Sequence, residues 1–163
     1  MDFWSHLVTG FGIALSPTNL LFAFVGCVIG TMIGVLPGIG SVATVALLMP
    51  ISFGMDPTTG LIMMAGVYYG AMYGGSTTSI LVRTPGESNA VVTTLDGYPM
   101  AQQGRAGAAL ATAAIGSFIA GTFSTAGLML FAPVLSSLAL RFGPAEYFVV
   151  MVLGLTSVSS LTT

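Results

Sequence analysis

The segment GCVIGTMIGVLPGIG, residues 26–40, decides how this chain folds. Its apolar part has a glycine at 26, 30 and 34, and small residues at every fourth position allow two helix backbones to approach closely within lipid. The segment ends in Pro37-Gly38-Ile39-Gly40, which cannot continue as a regular helix. These features predict a transmembrane helix over residues 20–36 that is followed by a break.

A second glycine stripe follows the same pattern. Glycines at 66, 70 and 74 share one helix face, in an apolar run that begins after a predicted helix start at Asp56. We predict a span over 60–73 that stops at Gly74-Gly75 and gives way to the polar segment 76–79, Ser-Thr-Thr-Ser. Tight packing of one span on another is sufficient to explain both stripes. Each stripe, however, runs into a predicted helix break.

Charged residues are scarce along the whole chain. They make up 5% of the 163 residues, against 55% hydrophobic residues, and lysine is absent. Soluble domains devote about a quarter of their residues to charge. The uncharged stretches predict an all-α integral membrane protein, a multi-pass helical bundle with broken or re-entrant helices at its glycine-rich motifs; they are 3–55, 57–82, 106–140 and 147–163.

The composition excludes several classes of function. A nucleic-acid interface needs a basic surface, whereas this chain has 3 basic and 5 acidic residues. One cysteine, Cys27, and one histidine, His6, cannot form a disulfide framework, a cysteine metal cluster or a histidine-based catalytic site. The string GIGSVA at 38–43 matches a dinucleotide-binding pattern, but membrane helices flank it instead of a parallel strand unit. We therefore expect no enzyme, no metal site and no organic cofactor.

The remaining segments complete a single predicted membrane domain over 1–163. Residues 3–14 suit an interfacial helix, because Trp4 and His6 favour a water–lipid boundary. The apolar run 41–53 is too short for a hydrocarbon core of about 30 Å, so a re-entrant or broken helix is expected there. Residues 84–104 are predicted as an aqueous segment, with turns at 85–86 and 96–99 and a short helix capped by Ser88.

The C-terminal third is predicted to hold two more apolar segments. The uncharged run 106–140 would overshoot the hydrocarbon core as one straight helix, so we expect a span to about Phe131, a kink or break at Pro133 and a short return. A last span begins near Pro144. Glu146 in its first turn suits the helix dipole, and a coupling-ion role for this carboxylate stays open.

The two predicted breaks could form a binding site. A half-helix that starts after a break directs free N–H groups toward a cavity, which favours an anion, while freed carbonyls can coordinate Na⁺. The alternative is that both breaks are ordinary loops between spans. Arg83 could hold a carboxylate by a bidentate contact, or could mark the membrane interface. The candidate substrate- or ion-binding residues are Gly38, Gly40, Ser41, Gly74, Gly75, Ser76, Thr77, Thr78, Ser79 and Arg83.

Four segments resemble one known family. They are 26–40 and 68–88 (YYGAMYGGSTTSILVRTPGES), with 95–110 and 142–155, and together they resemble the TctA-type large membrane subunit of tripartite tricarboxylate transporters. Gly38, Gly40 and Ser41 match the first family motif, and 74–79 with 84–86 match the second. Arg83 departs from the small polar residue of the family, which puts a substrate assignment by analogy at that position in doubt.

The resemblance implies a multi-pass permease of the bacterial inner membrane. Such a protein takes up citrate or related carboxylates by symport, usually with sodium, alongside a small membrane subunit and a periplasmic solute-binding protein. Family members are longer and have two related halves, so this chain would be the N-terminal portion. A structural or assembly membrane protein without transport activity is the alternative, although it does not explain the polar segment 76–79.

Overall fold

The computed structural model describes residues 3–161, and within this range it contains helices and their connections, without a strand. This confirms the all-α prediction for the described part of the chain. The α-helices are α1 (Phe3–Ala14), α2 (Pro17–Gly34), α3 (Gly40–Ser52), α4 (Pro57–Val82), α5 (Val91–Met100), α6 (Ala106–Ala139) and α7 (Pro144–Leu161).

The chain divides into two compact units, Met1–Ser117 and Phe118–Thr163. The first is built on α2 and α4, whose glycines meet the opposite backbone. A methyl group added at Gly30 would collide with the carbonyl oxygen of Val67, and one at Gly70 with that of Cys27. Glycines 26, 34, 66 and 74 face the partner helix in the same way. The glycine stripes therefore serve close packing of α2 on α4, which is the simpler of the two explanations.

Helices α2 and α4 run parallel. Near the start of both helices, the Thr59 hydroxyl donates a hydrogen bond of 2.7 Å to Oδ1 of Asn19. Near the end of α2, a Cβ at Gly74 would lie 2.5 Å from the Thr31 carbonyl oxygen. Asn19 also donates through Nδ2 to the Ile13 carbonyl at 2.8 Å, so one buried amide connects α1, α2 and α4. The Ile13 carbonyl at the end of α1 therefore accepts two hydrogen bonds, from the Asn19 amide and from the Ser16 N–H at 3.2 Å.

Helix α3 runs back from the C-terminal end of the α2–α4 pair to its N-terminal end. Its first turn lies beside the loop that follows α4, because Ser41 hydrogen-bonds Glu87. Its last residue, Ser52, lies near the start of α4, where a Cβ at Gly60 would be 3.1 Å from the Ser52 Cβ. A re-entrant segment would begin and finish at the same end, so these contacts differ from that expectation. The 13 residues of α3 span about 20 Å.

The predicted break at Gly74-Gly75 is wrong. Helix α4 continues without interruption for 26 residues, from Pro57 to Val82, and includes the polar segment 76–79. Glycine lowers helix propensity by about 1 kcal/mol, but here both glycines are buried. A Cβ at Gly74 would lie 2.5 Å from the Thr31 carbonyl oxygen of α2, and one at Gly75 would lie 3.3 Å from the backbone nitrogen of Glu87 in the following loop. The hydroxyls also bond carbonyls one turn earlier, which places polar side chains on an intact helix.

The segment after α4 is more helical than predicted. Residues 96–99 lie inside α5 instead of forming a turn. Ser88 is the first residue of a short 3-10 turn, Ser88–Ala90, and Glu87 is the N-cap residue of that turn. The predicted helix cap by Ser88 is therefore wrong. Residues 83–87 are non-helical, with a bend at 86–87, so the connection lies where a turn at 85–86 was expected. Beyond α5, a π-helical stretch, Ala101–Arg105, contains Gly104 at φ 76°, so the chain bends there before α6.

The second unit contains the rest of α6 and helix α7. Helix α6 continues through Pro133 to Ala139, so the predicted break and return are wrong. A turn at 140–143 leads to α7, which begins at Pro144 as predicted. The Glu146 carboxylate accepts a hydrogen bond of 2.8 Å from the Gly143 N–H, and this cap supports the helix-terminus interpretation. Large apolar side chains of this unit are exposed, Leu140 by 87%.

Within residues 3–161, two helical stretches are long and apolar enough to cross a membrane, Pro17–Gly34 and Ser88–Ala132. This test concerns length and composition alone. The first stretch is α2, which the sequence predicted as a span. The interfacial position of α1 stays a prediction.

Candidate functional site

The first glycine-rich motif forms a sharp connection between α2 and α3. Helix α2 ends at Gly34, and α3 begins at Gly40, as the Pro37-Gly38 break predicted. Gly38 and Gly40 have φ of 93° and 69°, a left-handed backbone that residues with side chains rarely adopt. A Cβ at either glycine would meet no atom within 4 Å. Conformation, and not crowding, therefore requires glycine at both positions.

Ser41, the next residue of the first motif, connects this turn to a distant loop. Its side chain is 1% exposed, and its hydroxyl donates a hydrogen bond of 2.6 Å to the carboxylate of Glu87. The short distance is typical of a hydroxyl that donates to an ionised acceptor. Ser41 is therefore positioned by a partner 46 residues away and not by its own turn.

The second motif is a run of four consecutive hydroxyl residues inside α4, 76–79, which we call the hydroxyl wall. Ser76 and Thr77 are half-buried and donate to the carbonyls of Met72 and Tyr73. Thr78 and Ser79 are buried and both donate to the Gly75 carbonyl, at 3.0 and 2.9 Å. All four O–H donors are thus engaged within α4. Their oxygen lone pairs remain able to accept, which suits a cation better than a carboxylate.

The two motifs meet at one place, which we call the junction: Gly34, Ser41, Gly75, Gly86 and Glu87. Gly86 lies between the helices, since a Cβ there would be 2.6 Å from both the Gly34 carbonyl oxygen and the Gly75 Cα. Its N–H donates to the Gly75 carbonyl at 3.4 Å. The loop after α4 therefore connects the broken segment 35–39 with the hydroxyl wall.

Arg83 stands apart from the junction contacts. It is exposed at the C-terminus of α4, with φ 58°, the one non-glycine residue with positive φ among residues 3–161. Its guanidinium lies 5.7 Å from the centroid of the Tyr98 ring, within the range of a cation–π contact. A positive charge is also favourable at a helix C-terminus. The interface role and the carboxylate-binding role of Arg83 both remain predictions.

In residues 3–161, the groups available to an ion differ from those of a clustered metal site. No group of three histidine, cysteine or acidic side chains is close enough to hold a metal ion. No buried side-chain nitrogen or oxygen in this part of the chain lacks a hydrogen-bond partner. The junction and the hydroxyl wall therefore offer hydroxyl, carbonyl and carboxylate oxygens, a donor set that suits a hard monovalent cation.

Sequence reasoning missed three residues of this framework. Glu87 is an acidic residue in a predicted aqueous segment, where solvation would be sufficient to explain it, but it is half-buried against Ser41. Asn19 and Thr59 follow the prolines at the starts of α2 and α4, and they form a buried hydrogen-bonded pair. An acidic residue directly after Pro85-Gly86, in a chain with so few charges, is the signal that could have indicated Glu87.

Apolar helices packed through glycine, with a run of hydroxyl residues inside α4, define a protein that is helical over residues 3–161 and suited to a membrane. The comparison with known proteins names the family: residues 20–163 match the tripartite tricarboxylate transporter TctA family, and the chain belongs to it. TctA is a transporter family, and membership of such a family implies a membrane protein.

One relative is a protein of Agrobacterium vitis described as an uncharacterised 52.8 kDa protein in the TAR-I ttuC' 3' region. The two are 58% identical over 155 residues, which cover 95% of this chain and 31% of the relative. The chain therefore spans about a third of the length of that relative. No solved structure matches the chain.

Proposed function

We propose that this chain is part of the permease subunit of a tripartite, ion-gradient-driven secondary transporter that takes up citrate or a related carboxylate. Membership of the TctA family over 20–163 is the observation that carries the proposal. The working partners are a small membrane subunit and a periplasmic solute-binding protein, in a bacterial inner membrane. The protein crosses this membrane several times and performs no enzymatic reaction of its own.

The geometry supports a division of roles within this transporter. The hydroxyls of Ser76 and Thr77 are half-buried and already donate to backbone carbonyls, so their oxygens present lone pairs. Oxygen atoms in a partly dry site replace the hydration shell of Na⁺. We assign these hydroxyls to the coupling ion. The carboxylate of the substrate is instead assigned to a positively charged side chain and to free N–H groups, and Arg83 is the candidate for the positive charge.

The experiment is transport by the complete transporter, titrated separately in sodium and in substrate. Ser76→Ala, Thr77→Val and Thr78→Val each remove one hydroxyl, and Ser88→Ala in the exposed loop is the matched control. A lost hydrogen bond to a charged group costs about 1.5–3 kcal/mol, or roughly ten- to a hundredfold in apparent affinity. We expect this loss for sodium in at least one of the three wall variants, and no loss in Ser88→Ala.

Two outcomes would contradict these assignments. Unchanged apparent affinities for both ligands in all three wall variants, at normal expression, would make 76–79 a packing segment and nothing more. Loss of affinity for the substrate alone would show that the hydroxyls bind the substrate carboxylate and not the sodium ion. Normal uptake in cells that lack this gene would favour the alternative function, a structural or assembly protein without transport activity.

A further inference from the structure

The attachments of α3 differ from those that hold α2 and α4 together. Helices α2 and α4 interlock backbone to backbone along their glycine stripes, where even one methyl group would collide. Helix α3 has polar side chains at Ser41, Thr44 and Ser52. Thr44 and Ser52 hydrogen-bond carbonyls of their own segment, whereas Ser41 bonds another element. The Ser41–Glu87 hydrogen bond is therefore a polar tie between α3 and the end of α4.

The connection that precedes α3 is suited to movement. Gly38 and Gly40 have left-handed backbone angles, and open space surrounds the position of a Cβ at each. Glycine residues absorb large changes of φ and ψ at little steric cost, and hinges are formed by a few such residues in loops or at the ends of elements. The two left-handed glycines at the start of α3 and the Ser41–Glu87 hydrogen bond are two independent observations.

We propose that Glu87 is a positioning residue: its carboxylate latches α3 to the α2–α4 pair through Ser41, and α3 moves on the Gly38–Gly40 hinge when this bond opens. The Glu87 side chain is half-buried, and among residues 3–161 its recorded partner is the Ser41 hydroxyl. Opening the latch exposes the face of α3 that carries Ser41 and Thr44, which are 1% and 0% exposed.

This inference concerns the attachment of α3 and does not require a particular substrate. Its test needs no transport measurement, so failure of the latch and failure of the proposed transport function are separate results. The readout is the reaction rate of a buried thiol with a small maleimide, since only the solvated thiolate reacts. When opening is rare and fast, this rate is proportional to the population of the open state.

The experiment uses the full chain in lipid vesicles, in a Cys27→Ser background because native Cys27 is exposed. Thr44→Cys reports the buried face of α3, and Val67→Cys, also 0% exposed, reports the interlocked α2–α4 contact. We expect Ser41→Ala or Glu87→Ala to accelerate labelling at position 44 by about ten- to a hundredfold, the population change that a charge-assisted hydrogen bond supports. Labelling at position 67 stays unchanged.

Two further variants separate a latch from general loosening. Glu87→Gln keeps an acceptor oxygen but loses the charge, so it restores part of the protection that Glu87→Ala removes. The double variant Ser41→Ala/Glu87→Ala labels no faster than either single variant, because both remove the same bond. The proposal is overturned if Ser41→Ala leaves labelling at position 44 unchanged, if positions 44 and 67 accelerate together, or if the two single effects add.

Discussion

Gly30 and Gly70 show how the absence of a side chain holds this molecule together. Each faces a backbone carbonyl of the partner helix, of Val67 and of Cys27, at a distance that leaves no room for a methyl group. Within lipid, helix association depends on van der Waals packing because the lipid chains are as apolar as the helix surface. Each glycine therefore contributes through the close backbone approach that it permits.

We expect Gly30→Ala to destabilise the first unit by about 1–3 kcal/mol, because the added methyl forces the two backbones apart. Gly116→Ala is the matched control. Gly116 lies in α6 with nothing within 4 Å of an added Cβ, so alanine there should leave stability unchanged or raise it by up to about 1 kcal/mol. Thermal unfolding in detergent measures both. Equal stability of the two variants would contradict the interlocked packing of α2 and α4.

The buried pair of Asn19 and Thr59 gives a second prediction at this scale. Asn19→Ala removes the acceptor of the Thr59 hydroxyl and one of the two donors to the Ile13 carbonyl, at a cost of about 1–3 kcal/mol. Thr59→Val should cost less in the Asn19→Ala background than alone, because the shared bond is already lost. Thr9→Val, at an exposed hydroxyl, is the control. Additive effects of the two substitutions on the free energy of unfolding would show that the pair is not coupled.

The sequence predicts some of these residues and not others for a physical reason. The glycine stripes are visible because a spacing of four residues is a property of a single helix. The partners of Glu87 and Asn19 lie 46 and 40 residues away, and no local pattern encodes such distances. The contacts of Ser41 and Thr59 depend on how the helices pack in three dimensions.

At the scale of elements, two glycine-rich motifs have opposite outcomes. The turn at 35–39 breaks the chain because Pro37 cannot donate a helix hydrogen bond and two glycines take left-handed angles. Gly74 and Gly75 stay helical because α2 and Gly86 press on them from outside. Composition is similar in both motifs, so packing decides between a break and a continuous helix. Single-sequence reasoning could not include that packing.

The same contrast predicts different effects of alanine in two connections. Gly38→Ala places a Cβ in a left-handed conformation and should destabilise the chain by about 1–2 kcal/mol, although no atom obstructs it. Gly54→Ala, in the turn after α3, has equal space and no positive φ, so it should be neutral. Denaturant unfolding of both variants measures the difference. Equal midpoints would mean that the 35–39 turn adapts without strain.

At the scale of the whole molecule, apolar exposure in the second unit is the dominant feature. Phe118, Phe123 and Leu140 are exposed by 76%, 77% and 87%, and their neighbours along α6 and α7 are similar. Such surface is stable only against lipid or other protein. The alignment with the Agrobacterium vitis relative covers 31% of that protein, which is compatible with contact to other protein as well as to lipid.

We therefore expect residues 1–163 alone to show no sodium-dependent citrate uptake, because the junction and the hydroxyl wall would supply only one side of a substrate site. The measurement compares vesicles that contain residues 1–163 with vesicles that contain a complete family member and its partner subunits, under the same inward sodium gradient. Accumulation by the complete transporter and none by 1–163 is the expected result. Robust uptake by 1–163 alone would contradict this prediction. It would place every group that binds the substrate and the sodium ion within these residues.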